Sequence, residues 1–100
     1  MDDTTELLDE IRKRPGIFIG ASGITKLRAF LDGYFYAKKG NVRDPLLQGF
    51  QEWVQKRYHQ NTEHSWSSII LYFEGDEAQA FKRFFELLDK YKAEVAQQSK

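Results

Sequence analysis

His59 and His64 are the only two imidazoles of the chain, and five positions separate them. On a continuous helix that spacing turns them about 140° apart, unlike the i, i+4 pair that shares a metal ion on one face. The polar residues 59–64 interrupt the hydrophobic pattern, so both rings are expected in a loop, and with no third ligand clustered beside them no metal site is expected. Either imidazole could serve as a general base, but no Ser or carboxylate is spaced so as to be its partner. A nucleophile, a base and an orienting group are not found together, so the chain is expected not to be an enzyme. The absence of cysteine excludes a thiol nucleophile, cysteine-ligated zinc or iron–sulfur sites and disulfides. Gly16, Gly20 and Gly23 suggest a phosphate-cradling loop, but neither G-x-G-x-x-G nor G-x-x-x-x-G-K-[ST] occurs, and tight turns around Ile17-Phe18-Ile19 are the simpler use. No cofactor is expected.

Charge narrows the partners. Fifteen Lys and Arg balance fifteen Asp and Glu, so the broad cationic surface that holds phosphate backbones is missing and nucleic acid is not an expected partner. The cluster Arg12-Lys13-Arg14 fits a helix C-terminus whose dipole favours cations. The carboxylates gather as Asp2, Asp3, Glu6, Asp9 and Glu10 at the start and as Glu74, Asp76 and Glu77 later, each group at an expected helix N-terminus. A solvated face is the ordinary reading; a patch that steers a basic partner is the functional one. Most of the 15 aromatic residues fall on helical stripes and belong to a core. Tyr36 and Tyr72 fall off the stripes and are candidate interface residues.

These residues must be carried by helices. Asp3 and Glu6 have the form of a capping box, followed by Leu7, Leu8 and Ile11 up to Pro15. Ile17-Phe18-Ile19 reads as a buried connector. Ser22 is the expected N-cap of a second helix bearing Leu27, Phe30, Leu31, Tyr34 and Phe35, closed by Lys38, Lys39 and Gly40. Asp44-Pro45 opens a third with Leu46, Leu47, Phe50, Trp53, Val54 and Tyr58. Asn61 or Thr62 would cap a fourth with Trp66, Ile69, Ile70 and Phe73; Ser68 to Phe73 is also rich in strand formers, but four matches to helical spacing exceed any alternation. Gly75-Asp76, with Gln79 three residues on, starts a last helix with Phe81, Phe84, Phe85, Leu88 and Tyr91 on one face, and order is expected to fade after Ala93. The expectation is an all-α, single bundle-like domain of about five amphipathic helices spanning residues 1–100, frayed at 1–3 and 96–100. The acidic first residues lead into no apolar segment, and no stretch approaches the ~18 apolar residues a bilayer span needs. A cytoplasmic protein without a membrane partner is expected.

Residues 12–20, Arg-Lys-Arg-Pro-Gly-Ile-Phe-Ile-Gly, resemble a stretch near the start of the ATPase domain of type II topoisomerases. The helical Asn, the Asp-x-Gly-x-Gly segment and the glycine-rich lid of that fold are missing, so its activity is not implied. A longer resemblance is to small bacterial immunity proteins of polymorphic toxin and contact-dependent growth inhibition systems. It runs through residues 14–20, Leu27 with Arg28-Ala29-Phe30-Leu31-Asp32-Gly33-Tyr34, Phe50-Gln51-Glu52-Trp53-Val54, Ser65-Trp66-Ser67-Ser68-Ile69-Ile70, Asp76-Glu77-Ala78, and Phe84-Phe85-Glu86-Leu87-Leu88. This resemblance implies a cytoplasmic inhibitor that binds the C-terminal domain of a cognate toxin, often a nuclease, one to one, and covers its active site or substrate surface. It transfers no binding residue by position. On physical grounds the candidates for partner binding are Asp32 and Tyr36 on the second helix, Glu63 in the histidine loop, and Tyr72, Glu74 and Asp76 at the last helix junction. A generic intracellular interaction or homo-oligomerising helical module is the alternative with the same elements.

Overall fold

The computed structural model describes residues 3–39, 44–60 and 63–98, and every regular element among them is a helix. In order these are α1 (Asp3–Lys13), α2 (Pro15–Ile19), α3 (Ile24–Lys39), α4 (Pro45–Arg57), α5 (Trp66–Glu74) and α6 (Glu77–Gln98). The all-α expectation holds, and residues 66–73 are helical because their apolar side chains follow a 3.6-residue period that buries Trp66, Ile69 and Ile70.

Six helices are described where about five were expected, because the expected connector, residues 17–19, is itself part of a helical turn. Pro15 pre-sets the first residue of α2 and Gly20, at φ +81°, stops it. Nor is α2 buried: Phe18 packs edge-on against Phe30 of α3 at 6.2 Å, whereas Ile17 points out with 73% of its surface exposed.

Helix ends follow local chemistry at some places and distant chemistry at others. Asp44 caps α4, its carboxylate accepting the Leu47 N–H at 3.2 Å and the buried Thr4 hydroxyl at 2.7 Å, which ties α1 to α4. Gly75 closes α5 in the left-handed conformation, and Asp76 caps α6 by accepting the Gln79 N–H at 2.8 Å. Ser22 does not cap α3, which starts after Gly23. Glu77 of α6 supplies the missing acceptor, taking the Thr25 N–H at 2.9 Å and the Thr25 hydroxyl. Ser65 caps α5; the Asn61, Thr62 and Gly40 expectations and the side chain of Asp3 lie outside the described residues. The last helix extends past Ala93 to Gln98, and Trp53 donates its indole N–H to Glu94 at 2.9 Å.

Phe50 is the centre of the core. Its fully buried ring meets Trp53, Trp66, Phe84 and Tyr91 at 5.4–6.0 Å and so joins α4, α5 and α6. Burial of each such ring is worth roughly 1.5–3 kcal/mol. Gly49 beside it has a specific reason, because a Cβ there would run into the hydroxyl of Tyr91.

Candidate functional site

Helix α5 is the rod on which the exposed candidates are arranged, and it is held from three sides by α3, α4 and α6. Gln51 of α4 accepts the Trp66 N–H at 2.6 Å, and Tyr58, seven residues later, stacks on Phe73, seven residues after Trp66. Helices α4 and α5 therefore run parallel and their C-terminal ends arrive at the same edge. Helix α3 runs the other way: Thr25 meets Glu77 just past the end of α5, while Arg28 reaches Ser67 in its first turn.

At the shared edge Tyr58, Phe73 and Tyr72 form one line of rings. Tyr58 and Phe73 stack at 4.7 Å and 25°, and Tyr72 meets Phe73 edge-on at 5.2 Å. Tyr72 is 79% and Phe73 47% exposed. The assignment of Phe73 to the core stripe is corrected here: its position on the face is right, but α5 ends at Glu74 and the ring, stacked on Tyr58, stays 47% exposed.

Carboxylates border the rings. Arg83 of α6 lies between Glu86, at 3.1 Å, and Glu74, at 3.8 Å. Its hydrogen bonds to Glu86 and to Tyr58 raise its pKa further, so its charge is permanent. Glu74 is the more loosely engaged of the two carboxylates. The peptide dipoles of α4 and α5 add roughly half a negative charge each at this edge, which the exposed Lys56 and Arg57 in the last turn of α4 offset.

The six candidates read from the sequence divide into two groups, separated by the nine residues of α5, about 13 Å at the helical rise. Tyr72 and Glu74 belong to the aromatic edge, and Asp76 lies next to it but is engaged as the cap of α6. At the other end, Asp32 is paired with Arg28 at 2.9 Å and borders a groove of about 250 Å³ with Thr25, Ala29, Ser67, Ser68 and Leu71. Tyr36 follows one turn further along α3 with 70% of its surface exposed, and Glu63 is exposed ahead of α5. The sequence reading missed Tyr58, Phe73, Arg83 and Glu86. For the first two the signal is that Phe73 is the last aromatic residue of α5 and Tyr58 is the C-cap of α4.

The basic cluster divides too. Arg12 is engaged by Asp89 at 3.0 Å and lies over the Phe85 ring, whereas Lys13 and Arg14 are exposed. Among the described residues no group of three His, Asp or Glu side chains could hold a metal ion, and no helix is long and apolar enough to cross a membrane.

No family model matches the chain, and neither a curated protein nor a solved structure is similar to it.

Proposed function

We propose that this chain is an immunity protein, which binds a cognate bacterial toxin domain of the nuclease class in the cytoplasm and neutralises it by covering the active site or substrate surface. The observation that supports this reading is the exposed pair Tyr72 and Phe73, backed by the half-buried Tyr58 and bordered by Glu74 and Glu86. Rigid aromatic side chains lose little entropy on docking and are over-represented among the residues that dominate binding energy. Their support by a helix packed on three sides keeps them pre-organised. Carboxylates at the rim suit a partner that binds phosphate backbones, because such a partner is itself cationic. A standard interface takes about 800 Å² from each partner, roughly one-eighth of the 6463 Å² surface of this chain.

Co-expression tests the reading. The polypeptide encoded immediately upstream, produced alone, should arrest growth, and growth should recover when this chain is produced with it. Equal growth in both cases removes the immunity reading. The exposure of Ile17 and Tyr36 on α2 and α3, away from the edge, favours a second reading, a self-associating module. Light scattering decides between them: a mass that rises with concentration in the absence of any partner favours self-association.

A further inference from the structure

We infer that the free chain pairs with a second copy of itself across the open face of α3 and α5, the Tyr72 ring of each copy entering the groove between α3 and α5 of the other. Helix α6 packs against α3, α4 and α5 from one side. Tyr72 stands about 160° round α5 from Glu74, which meets Arg83 of α6, and it is 79% exposed. The recess lies beside it: Ser68, one turn before Tyr72, lines the groove of about 250 Å³ together with Leu71 and, from α3, Ala29. That volume is below the roughly 300 Å³ at which pockets for drug-sized ligands begin, so it suits a single side chain. Its charges are already satisfied within the chain. Arg28 donates to Asp32 at 2.9 Å, approaches the Ser67 hydroxyl at 3.4 Å and lies over the Trp66 ring. A neutral recess with an apolar floor and a hydroxyl at its rim matches a neutral ring that carries a hydroxyl. Ser68 accepts from Ser65 at 3.2 Å and keeps its own proton to donate to a phenol oxygen. Symmetry then selects the occupant. A projection and a recess one turn apart on one face fit each other through a two-fold axis between them, which carries each ring onto the other copy's groove. In such a contact the face meets itself, so a border of one sign would repel; here the exposed Lys56 and Arg57 are matched by the exposed Asp76 and Glu77. The layer of α3, α5 and α4 is about 24 Å long and three helices wide, on the order of the ~800 Å² that each copy gives to a standard interface. The inference makes the self-associating reading specific and does not rest on immunity. Because Tyr72 serves both contacts, a bound toxin excludes the second copy and its complex with the chain stays one to one.

The test uses the full chain in sedimentation equilibrium between about 10 μM and about 1 mM. The mean mass should rise from 11.8 kDa and level off at twice that value. Tyr72→Ala should weaken pairing at least roughly 30-fold, the loss typical of an aromatic anchor, and Ala29→Glu, which fills the recess and brings in an unpaired charge, should leave a monomer. Ile17→Ala, on the exposed side of α2, should leave pairing unchanged. All three side chains are exposed, so the variants should melt as the parent does, which circular dichroism checks. In a mixture of isotope-labelled and unlabelled chains, filtered NOEs should connect the Tyr72 ring to the Ala29 and Leu71 methyl groups across copies. A mass that stays at the monomer value, a mass that climbs past the dimer, or a dimer indifferent to Tyr72→Ala and Ala29→Glu would each overturn the inference. The two readings fail separately. A chain that stays monomeric yet protects growth against the upstream polypeptide removes the pairing and leaves immunity standing, whereas a dimer without growth protection removes immunity and leaves the pairing.

Discussion

Replacing Glu77 by alanine removes the only side-chain cap identified at the start of α3, although the two residues it joins are 52 positions apart. Glu77 accepts the Thr25 N–H at 2.9 Å and the Thr25 hydroxyl, the role a serine or aspartate normally performs from within its own helix. Loss of such a cap costs about 1 kcal/mol, and loss of an acidic residue from the first turn of α6 adds roughly half as much. A total of about 1.5 kcal/mol corresponds to a fall in melting temperature of about 6–12 °C for a domain of this size. The pH dependence distinguishes this cause from a general loss of helix stability. The hydrogen bonds from the Thr25 hydroxyl and N–H hold the carboxyl of the exposed Glu77 below its ordinary 4.5, outweighing slight desolvation and the neighbouring charge of Asp76. A carboxylate depressed in the folded state is stabilising above its unfolded value, and that stabilisation disappears as pH falls through the folded value. The gap between parent and Glu77→Ala should therefore be complete above about pH 4.5 and close in more acid solution. Thermal unfolding of both proteins from pH 7 to pH 3, followed by circular dichroism, measures it. Equal melting at pH 7, or a gap that persists unchanged at pH 3, would refute the capping role.

Other substitutions probe other joints. Gly49→Ala should destabilise by about 1–3 kcal/mol in urea denaturation, since the added methyl meets the Tyr91 hydroxyl; in a Tyr91→Phe background most of that loss should disappear, and additive losses would contradict the contact. Asp44→Ala should cost about 2–3 kcal/mol, because it removes the α4 cap and leaves the buried Thr4 hydroxyl without this acceptor; a loss below about 0.5 kcal/mol would show that water replaces it. Phe50→Ala should cost about 3–5 kcal/mol, a large part of the 5–15 kcal/mol of a typical domain, and a well-folded variant with near-parent urea midpoint would remove Phe50 from the centre of the core.

The sequence exposes those features whose cause is local. Asp44-Pro45 and Gly75-Asp76 carry their capping chemistry within four residues, and both operate in the structure as their types predict. The stripes of α4, α5 and α6 place Phe50, Ile70 and Phe84 inside for the same reason. What escaped depends on where elements end relative to one another. A stripe gives the direction of a side chain and not the depth of the cover above it, so Phe73 reads as core although its ring is only half covered. Ser22 lost the capping role to Glu77, which no window of local sequence brings near it. The candidate edge was half legible: Tyr72 and Glu74 stood out by position, whereas Tyr58, Arg83 and Glu86 join them only because α4 and α5 run parallel and α6 folds back along them.

Whether this chain neutralises a toxin by binding it, as we propose, is decided by one measurement. The tagged chain is co-purified with the polypeptide encoded immediately upstream, and the nuclease activity of that polypeptide is titrated with the purified chain. The account predicts a one-to-one complex and activity that falls to background at one equivalent. Recovery of the tagged chain alone, with nuclease activity unchanged at excess, would contradict it.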